Sequence, residues 1–161
     1  MNSPIAMADF QLAIRSAVAA GLAVAIARFL RLAFPLYAMI AAIIVTDLSP
    51  LQTRNLGLQR LAGTVLGATL GAALSPLQYL GPWAIGLGIL LTMFLCHCFR
   101  LQAAAKVAAY TCAIVMLEHG LHPWSYALYR LIETVLGCGV AVAVSLFPKL
   151  MSIEVSRDTA L

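Results

Sequence analysis

The stretch RLAGTVLG at residues 60–67 returns as RLIETVLG at residues 130–137. Over the sixteen residues that begin with Arg60 and with Arg130, eight positions are identical without a gap. Chance within an apolar alphabet gives about one or two identities over that length, and similarity at a fixed spacing is typical of a duplicated unit. We therefore interpret the chain as two related halves, each with an arginine near the start of its last apolar segment.

The composition places the chain in a lipid bilayer. Hydrophobic residues make up 63% of its 161 residues, charged residues only 10%, and the mean hydropathy is +0.97. A soluble domain averages about half apolar residues. At about 20 residues per spanning helix, the length allows six spans with short loops and no separate soluble domain. The net charge of +4 lacks a basic run that would track phosphates, so we expect no nucleic-acid partner.

Proline divides the apolar sequence into segments, because it lacks a backbone donor and interrupts helices. Only the junction at Arg100 has no proline. The connections are short, so consecutive helices should be antiparallel neighbours. We predict an all-α polytopic membrane protein, one transmembrane domain over residues 1–161, with six transmembrane helices at residues 11–34, 36–48, 54–75, 80–98, 102–118 and 124–147.

Each half holds three predicted helices, an odd number, so the second copy enters the membrane in the opposite direction. The six helices thus form two inverted three-helix repeats, an architecture in which related halves build one site near the bilayer midplane. The apolar cores of the second and fifth helices, residues 36–46 and 107–117, have eleven residues each and are too short to cross about 30 Å of hydrocarbon. Short segments at matching positions point to a binding site, although tilted helices would give the same pattern.

The distribution of positive charge predicts the orientation in the membrane. One side collects seven basic residues and the other three, and the side richer in lysine and arginine faces the cytoplasm. Both termini are therefore expected in the cytoplasm. The first group is Arg15, Arg54, Arg60, Arg100, Lys106, Lys149 and Arg157, and the second is Arg28, Arg31 and Arg130.

The two repeated arginines are the leading candidates for substrate binding. An arginine at the centre of a spanning helix costs about 3 kcal/mol on insertion scales, so it should face protein or water rather than lipid. Arg60 and Arg130 would bind a carboxylate through the two-pronged guanidinium group. The alternative is a buried ion pair, Arg60 with Asp47 and Arg130 with Glu118 or Glu133, and both readings stay open. The same three acids are candidates for carrying protons.

Four further side chains are candidates for contact with the substrate. Lys106 either attracts anions at the cytoplasmic mouth of a pathway or extends its ammonium group to the membrane surface. Tyr110, within the short fifth helix, is a candidate for stacking on an aromatic substrate. Thr64 and Thr134 would offer hydroxyl groups, unless each bonds the preceding carbonyl of its own helix.

Small residues recur every fourth position after each arginine, at Gly63, Gly67 and Gly71 in one half and from Gly137 in the other. Such stripes let helix backbones approach closely, so we assign these glycines to helix packing.

We expect no enzyme, metal or cofactor. The four cysteines lie in apolar segments and are expected to be free thiols. In the sequence Cys96-His97-Cys98, consecutive helical residues point about 100° apart and cannot share one ion. The chain has neither an HExxH nor a GxSxG motif, and no carboxylates paired at metal spacing, so no catalytic residue is assigned.

Three phrases carry a resemblance to a known family. They are Pro-Leu-Tyr-Ala at residues 35–38, LQRLAGTVLGATLGAAL at 58–74 and HPWSYALYRLIETVLG at 122–137. The chain resembles the FUSC family over about residues 10–148; that family includes fusaric acid resistance proteins and aromatic acid exporters, and its membrane block is similar to that of aluminium-activated malate channels. Two departures are Glu133, which replaces the glycine of the first copy, and Tyr37, where the family often shows tryptophan.

The resemblance implies a membrane exporter of organic anions, in particular aromatic carboxylic acids, in the bacterial inner membrane. It also implies a homodimer or higher homo-oligomer, since many relatives carry two such membrane blocks. The expected partners are therefore a small organic anion, membrane lipid and further copies of the chain. Two alternatives stay open, a passive anion channel and a membrane scaffold that transports nothing.

Overall fold

A computed structural model describes residues 4–118 and 122–146, and over these ranges the chain is entirely helical. Six α-helices are present, as the sequence predicted, and two short 3₁₀ helices connect some of them. The α-helices are α1 (Pro4–Phe29), α2 (Pro35–Val45), α3 (Pro50–Leu74), α4 (Pro82–Cys98), α5 (Ala105–Glu118) and α6 (Pro123–Ser145), and the 3₁₀ helices are Ser75–Leu80 and Gln102–Ala104. Lys149, Arg157 and the predicted last residue of the sixth helix, at 147, lie outside the described ranges.

Proline begins helices in this fold more often than it ends them. Proline occupies the first turn of α2, α3, α4 and α6, where a missing backbone N–H costs nothing because that group has no partner within the helix. The predicted starts at residues 36 and 124 were therefore one residue late. The predicted start of the third helix at residue 54 was wrong by a full turn, since α3 begins at Pro50.

The first helix was predicted at residues 11–34, and both of these bounds were wrong. α1 starts at Pro4 and ends at Phe29. Arg31 has a left-handed backbone with φ 53°, and the N–H of Leu32 donates to the carbonyl of Ala27 at 2.9 Å. This is the hydrogen-bond pattern that closes many helix ends, usually with glycine at the left-handed position.

α4 ends in the same way. Arg100 has φ 57°, and the N–H of Leu101 donates to the carbonyl of Cys96 at 2.8 Å. A left-handed residue closes the helix here without proline, which explains the unusual junction that the sequence marked at Arg100. The predicted helix at residues 80–98 loses its first two residues, because 3₁₀ structure extends through Leu80.

α2 and α5 are the short helices. α2 has 11 residues and α5 has 14, which correspond to lengths of about 16 and 21 Å. α2 ends three residues before the predicted bound at 48, because Thr46 adopts an extended backbone. The predicted fifth helix at residues 102–118 begins with a 3₁₀ turn before α5 starts at Ala105. Neither helix alone reaches across about 30 Å of hydrocarbon.

The two long arginine-bearing helices lie at the centre of the fold. α3 packs most extensively against α5 and then against α6, whereas α6 packs against α3 and α2. α1 covers α2 and α6, and α4 covers α5. Each central helix therefore lies against the short helix of the other half of the chain.

Small and a few charged side chains are buried in this fold, and large apolar side chains are exposed, which is the reverse of the usual arrangement in a soluble protein. The buried set is mostly alanine, threonine, cysteine and glycine, and it also contains Arg60, Arg130 and Glu133. Large apolar side chains point outward; Phe29 and Trp83 are each 86% exposed. A soluble monomer rarely exposes so much apolar surface, so this distribution indicates an outer face in contact with hydrocarbon. Two of the described helices, Asp9–Phe29 and Pro123–Ser145, are long and apolar enough to cross a bilayer.

Candidate functional site

The backbone carbonyl of each repeated arginine accepts a hydrogen bond from the threonine four residues later on the same central helix. Thr64 Oγ1 donates to the carbonyl of Arg60 at 2.9 Å, and Thr134 Oγ1 donates to the carbonyl of Arg130 at 2.8 Å. A threonine in an apolar helix satisfies its hydroxyl in this way. The two hydroxyl donors are thus used within their own helices, and contact of these threonines with a substrate stays a prediction.

Glycines bring the partner helix close to each arginine. A Cβ on Gly67 would overlap the backbone of Ala108 in α5, and a Cβ on Gly137 would overlap the backbone of Ala38 in α2. Gly67 and Gly137 are seventy residues apart, and so are Ala38 and Ala108, which is the spacing of the repeat. Backbone approach of this kind is possible only without a side chain, and the packing role of the glycines stays a prediction.

The glycine stripe also gives the direction of the helices. Gly63, Gly67 and Gly71 lie in turn against Ala104, Ala108 and Cys112, so α3 and α5 run in the same direction. α3 and α6 run in opposite directions, because Gly57 lies beside Cys138 near one end of the contact and Ala68 packs with Ala127 near the other.

Arg60 is buried without an acceptor for two of its nitrogens. The side chain is 5% exposed, and Nε and Nη1 have no hydrogen-bond partner. Its Cζ lies 5.7 Å from the centre of the Tyr110 ring in α5. The Tyr110 hydroxyl and Thr111 Oγ1 are also buried without a partner. The α3 and α5 contact therefore contains a cationic group and a phenol whose donors are unsatisfied, which is costly in a water-poor interior.

Arg130 is held more tightly by an aromatic ring. Its Cζ lies 3.5 Å from the centre of the Tyr37 ring in α2, and its side chain is 4% exposed. This distance is typical of a close cation–π contact. Its Nε has no hydrogen-bond partner. The aromatic partner of Arg130, Tyr37, thus lies in the first turn of the short helix α2. The aromatic partner of Arg60, Tyr110, lies in the second turn of the other short helix, α5.

An acid and two tyrosines surround the outer end of the Arg130 site. Tyr126, 2% exposed, donates its hydroxyl to Glu118 Oε2 at 2.6 Å, and Tyr37 donates to the same oxygen at 3.2 Å. The two hydroxyl oxygens are 2.9 Å apart. Both rings also pack on Phe34: the centre of the Phe34 ring lies 6.0 Å from that of Tyr37 and 5.3 Å from that of Tyr126. This network links the ring that carries Arg130 to a carboxylate at the end of α5.

Glu133 is the only glutamate or aspartate among the fully buried side chains of the described residues, at 0% exposed. Its Oε1 accepts the backbone N–H of Phe34 at 2.7 Å, at the N-terminus of α2. Its Oε2 is buried without a partner. A carboxylate at this place also interacts favourably with the positive end of the helix dipole.

The ion pairs considered from the sequence are absent from this conformation. Over residues 4–118 and 122–146, neither arginine forms an ion pair within the 4.0 Å that defines one. Asp47 lies after the end of α2, where its Oδ1 accepts the N–H of Ser49 at 3.1 Å. Lys106 is exposed on the first turn of α5. The proton-carrying role of the acids and the anion-attracting role of Lys106 stay predictions.

Sequence reasoning missed Tyr37 and the Tyr126 hydroxyl as parts of the site. Tyr126 is among the largest fully buried side chains. The signal that could have found Tyr37 is its place in the first turn of α2, one helix turn before Ala41, which packs against Gly137.

The described residues show no grouping of metal ligands. Among them, no three histidine, cysteine, aspartate or glutamate side chains are close enough to hold a metal ion. The four cysteines are free thiols; Cys96 is buried and Cys98 is exposed, so the two point to different sides of α4.

Two surface depressions are described, and neither is lined by a repeated arginine. One, of about 470 Å³, is apolar and lies between α3 and the end of α4, bordered by Ala62, Val65 and Phe99. The other, of about 350 Å³, lies on the outer face of α6 around Trp124 and Leu128.

Comparison with known proteins gives a family. No curated protein and no solved structure matches the chain. A family profile described as aromatic acid exporter family member 1 matches residues 10–147, which include both repeated arginines, α2 to α6 and all of α1 except its first six residues. The match covers most of the chain, and the chain therefore belongs to the aromatic acid exporter family.

Proposed function

We propose that the protein exports small aromatic carboxylates across the membrane and that Arg60 and Arg130 bind the carboxylate group. The observation that carries this proposal is the buried, unpaired guanidinium of Arg60, with donors at Nε and Nη1. Because an unsatisfied charged donor is costly in a protein interior, its retention requires an acceptor at some stage of the working cycle. The family supplies the class of that acceptor, an aromatic acid.

The geometry at Arg60 suits such a molecule. Nε shares one edge of the guanidinium with Nη2, and Nη1 shares another edge with Nη2; either edge can bind both oxygens of a carboxylate, so each unpartnered nitrogen belongs to such an edge. The unpartnered hydroxyl of Tyr110 offers a third donor, and its ring offers a face for an aromatic substrate. Lys106 would add positive charge at the exposed start of α5.

Inverted repeats are part of the proposal, and matched contacts support them. Gly67 on Ala108 and Gly137 on Ala38 repeat one contact at the same spacing. The left-handed closures of α1 and α4 and the threonine bonds of α3 and α6 recur in the same way. Antiparallel crossing of α3 and α6 is what a two-fold axis in the membrane plane requires.

The burial of both guanidinium groups favours a carrier over an open channel. With exposed fractions of 5% and 4%, neither Arg60 nor Arg130 is reached by a substrate unless helices separate. We infer that α3 parts from α5, and α6 from α2, in alternation, so that access changes from one side of the membrane to the other. The glycine contacts between these pairs carry no interlocking large side chains, which keeps such separation inexpensive.

The remaining features of the proposal concern placement. The protein is proposed to lie in the bacterial inner membrane with all six helices spanning and both termini in the cytoplasm. The Arg15 side chain donates to the carbonyl of Leu48 at 2.8 Å, which places two parts of the predicted cytoplasmic side together. A homodimer or higher homo-oligomer is expected, with lipid around it.

The proposal is tested by transport in proteoliposomes loaded with radiolabelled benzoate, the simplest aromatic carboxylate. We expect saturable release that exceeds leakage from protein-free liposomes, and a loss of at least about tenfold in Arg60→Ala and in Arg130→Ala, because each loses a charge-assisted hydrogen bond. Arg54→Ala is the matched control, since Arg54 is an exposed arginine on the same helix.

Circular dichroism and gel filtration establish that each variant is folded. Equal release from parent, Arg60→Ala and Arg130→Ala would contradict the binding role of the arginines. Release that does not saturate and rises steeply with voltage would indicate a channel. No release of any carboxylate would leave a scaffold as the function.

A further inference from the structure

Within the repeated phrase, the one change from a small to a charged side chain is Gly63 to Glu133. In the first half, a Cβ on Gly63 would lie 2.8 Å from the carbonyl oxygen of Ala104. In the second half, Glu133 reaches the backbone N–H of Phe34, and Phe34 stands seventy residues before Ala104, the spacing of the repeat. The first half thus has a close backbone contact between Gly63 and Ala104, and the second half has a hydrogen bond between the Glu133 side chain and the Phe34 backbone at the equivalent positions.

Glu133 lies on the same face of α6 as Arg130, three residues further along. Arg130 does not pair with it within 4.0 Å and lies instead on the Tyr37 ring. Oε1 of Glu133 is fixed by the N–H of Phe34, so the unpartnered Oε2 is the atom left to change its state. Oε2 is therefore a fully buried carboxyl oxygen that accepts no hydrogen bond, and it can take up one proton.

A substrate carboxylate that binds Arg130 brings a second negative charge close to Glu133. Two carboxylates that share a buried site cannot both stay ionised, and one takes up a proton. A proton on Oε2 would turn Glu133 from an acceptor into a donor, able to make a short O–H···O hydrogen bond to the incoming carboxylate. We propose that the Arg130 half binds its anion together with one proton, taken from water and held on Oε2 of Glu133.

The Arg60 half has no such acid. Gly63 occupies the corresponding position, and the neighbour of Arg60 that the described residues show with an unpartnered atom is the phenol of Tyr110. The two halves therefore bind the same ligand differently: Arg60 accepts the anion alone, and Arg130 accepts the anion with a proton. This inference rests on the proposed function, since it presumes that both arginines bind carboxylate.

Other ionisable groups around α6 do not supply this charge. Glu118 is exposed and already accepts from Tyr126 and Tyr37. Among the other ionisable groups that the described residues place on α6 and on the helices packed against it, the only further carboxylate is Asp9, which is exposed. Helix by helix, these groups are Asp9, Arg15 and Arg28 on α1, Tyr37 on α2, Arg54 and Arg60 on α3, Lys106, Tyr110, Cys112 and Glu118 on α5, and Tyr126, Tyr129, Arg130 and Cys138 on α6 itself.

The test measures protons and benzoate binding together in detergent-purified protein. Arg60→Ala isolates the Arg130 site, and Arg60→Gln serves the same purpose if the alanine variant gives little folded protein. Benzoate is titrated in weakly buffered solution with a pH-indicator dye, and its Kd is measured by calorimetry at pH 6, 7 and 8. We expect about one proton taken up per benzoate bound at the pH where Glu133 is ionised, and a Kd that weakens about tenfold per pH unit above it.

Glu133→Gln, added to the Arg60 variant, keeps an oxygen for Phe34 and a permanent donor for the carboxylate. We expect it to bind benzoate without proton uptake and with the same Kd at all three pH values. Asp9→Asn removes an exposed carboxylate of α1 and should leave the proton uptake unchanged.

Binding without proton uptake in the Arg60 variant, or an unchanged pH dependence after Glu133→Gln, would overturn the inference while leaving the exporter proposal intact. Absence of benzoate binding and of benzoate transport in the parent protein would overturn both.

Discussion

The surroundings of Arg60 and Arg130 differ, although the sequence around the two residues is nearly the same. Arg60 lies 5.7 Å from the Tyr110 ring with two unsatisfied nitrogens, whereas Arg130 lies 3.5 Å from the Tyr37 ring beside a buried glutamate. The contacts that recur in both halves involve backbone and small side chains. The contacts that differ involve charge.

The comparison teaches that packing and electrostatics change independently in a repeated fold. Gly67 and Gly137 fix how closely the helices approach, and a single substitution beside them leaves that geometry in place. The same substitution introduces a carboxylate 0% exposed to solvent. A symmetric framework can thus hold two sites of different chemistry.

The largest effect on stability is expected from substitutions that disrupt the glycine–backbone contacts present in both halves. Gly67→Ala and Gly137→Ala place a methyl group against the backbone of the facing helix, which cannot move aside as a side chain can. Each should lower the free energy of unfolding by about 3 kcal/mol and reduce the yield of folded protein.

Thermal unfolding in detergent measures this effect. Gly86→Ala and Gly139→Ala are matched controls on α4 and α6, because a Cβ at either place meets nothing within 4 Å. Equal stability of Gly67→Ala and Gly86→Ala would show that the close approach of α3 and α5 is not required.

An intermediate effect should separate the two tyrosines. Tyr110→Phe removes a buried hydroxyl that has no partner, so it should leave stability unchanged or raise it, while benzoate binding weakens by about threefold to tenfold. Tyr37→Phe removes the hydrogen bond that Tyr37 donates to Glu118 and should destabilise the protein by about 1 kcal/mol.

Calorimetric Kd values and unfolding temperatures of the two variants, compared with the parent, check this contrast. If Tyr110→Phe destabilises the protein as much as Tyr37→Phe does, the Tyr110 hydroxyl has a partner within the protein. That result would contradict the proposed role of this hydroxyl in benzoate binding.

The smallest effect is expected from the threonines. Thr64→Val and Thr134→Val remove hydroxyls that donate to the carbonyls of Arg60 and Arg130 within their own helices. Benzoate release should change by less than about twofold in both variants, because such bonds are local. A loss in Thr64→Val as large as that in Tyr110→Phe would instead place the hydroxyl in contact with the substrate.

The sequence predicted the number of helices and the helical class, because these depend on local periodicity and on the length of the apolar segments. Helix ends were less predictable. The left-handed turns at Arg31 and Arg100 have arginine where glycine is usual, so the pattern that signals a helix end was missing at Arg31.

The surroundings of the arginines depend on tertiary packing and could not be read from the sequence. The acids nearest in the repeat pattern suggested ion pairs, yet Arg130 lies on Tyr37, and Glu133 turns to the backbone of Phe34, ninety-nine residues earlier. Which helices face each other decides these contacts, and the spacing of residues along one helix does not.

The claim that the Arg60 guanidinium binds the substrate carboxylate is tested most directly by an experimental structure with 4-iodobenzoate, in which iodine marks the ligand. The account predicts the carboxylate within about 3 Å of Nε or of Nη1 of Arg60, along the edge that this nitrogen shares with Nη2, and the iodinated ring near Tyr110. Iodobenzoate bound elsewhere, with the Arg60 nitrogens occupied by a carboxylate of the protein, would contradict it.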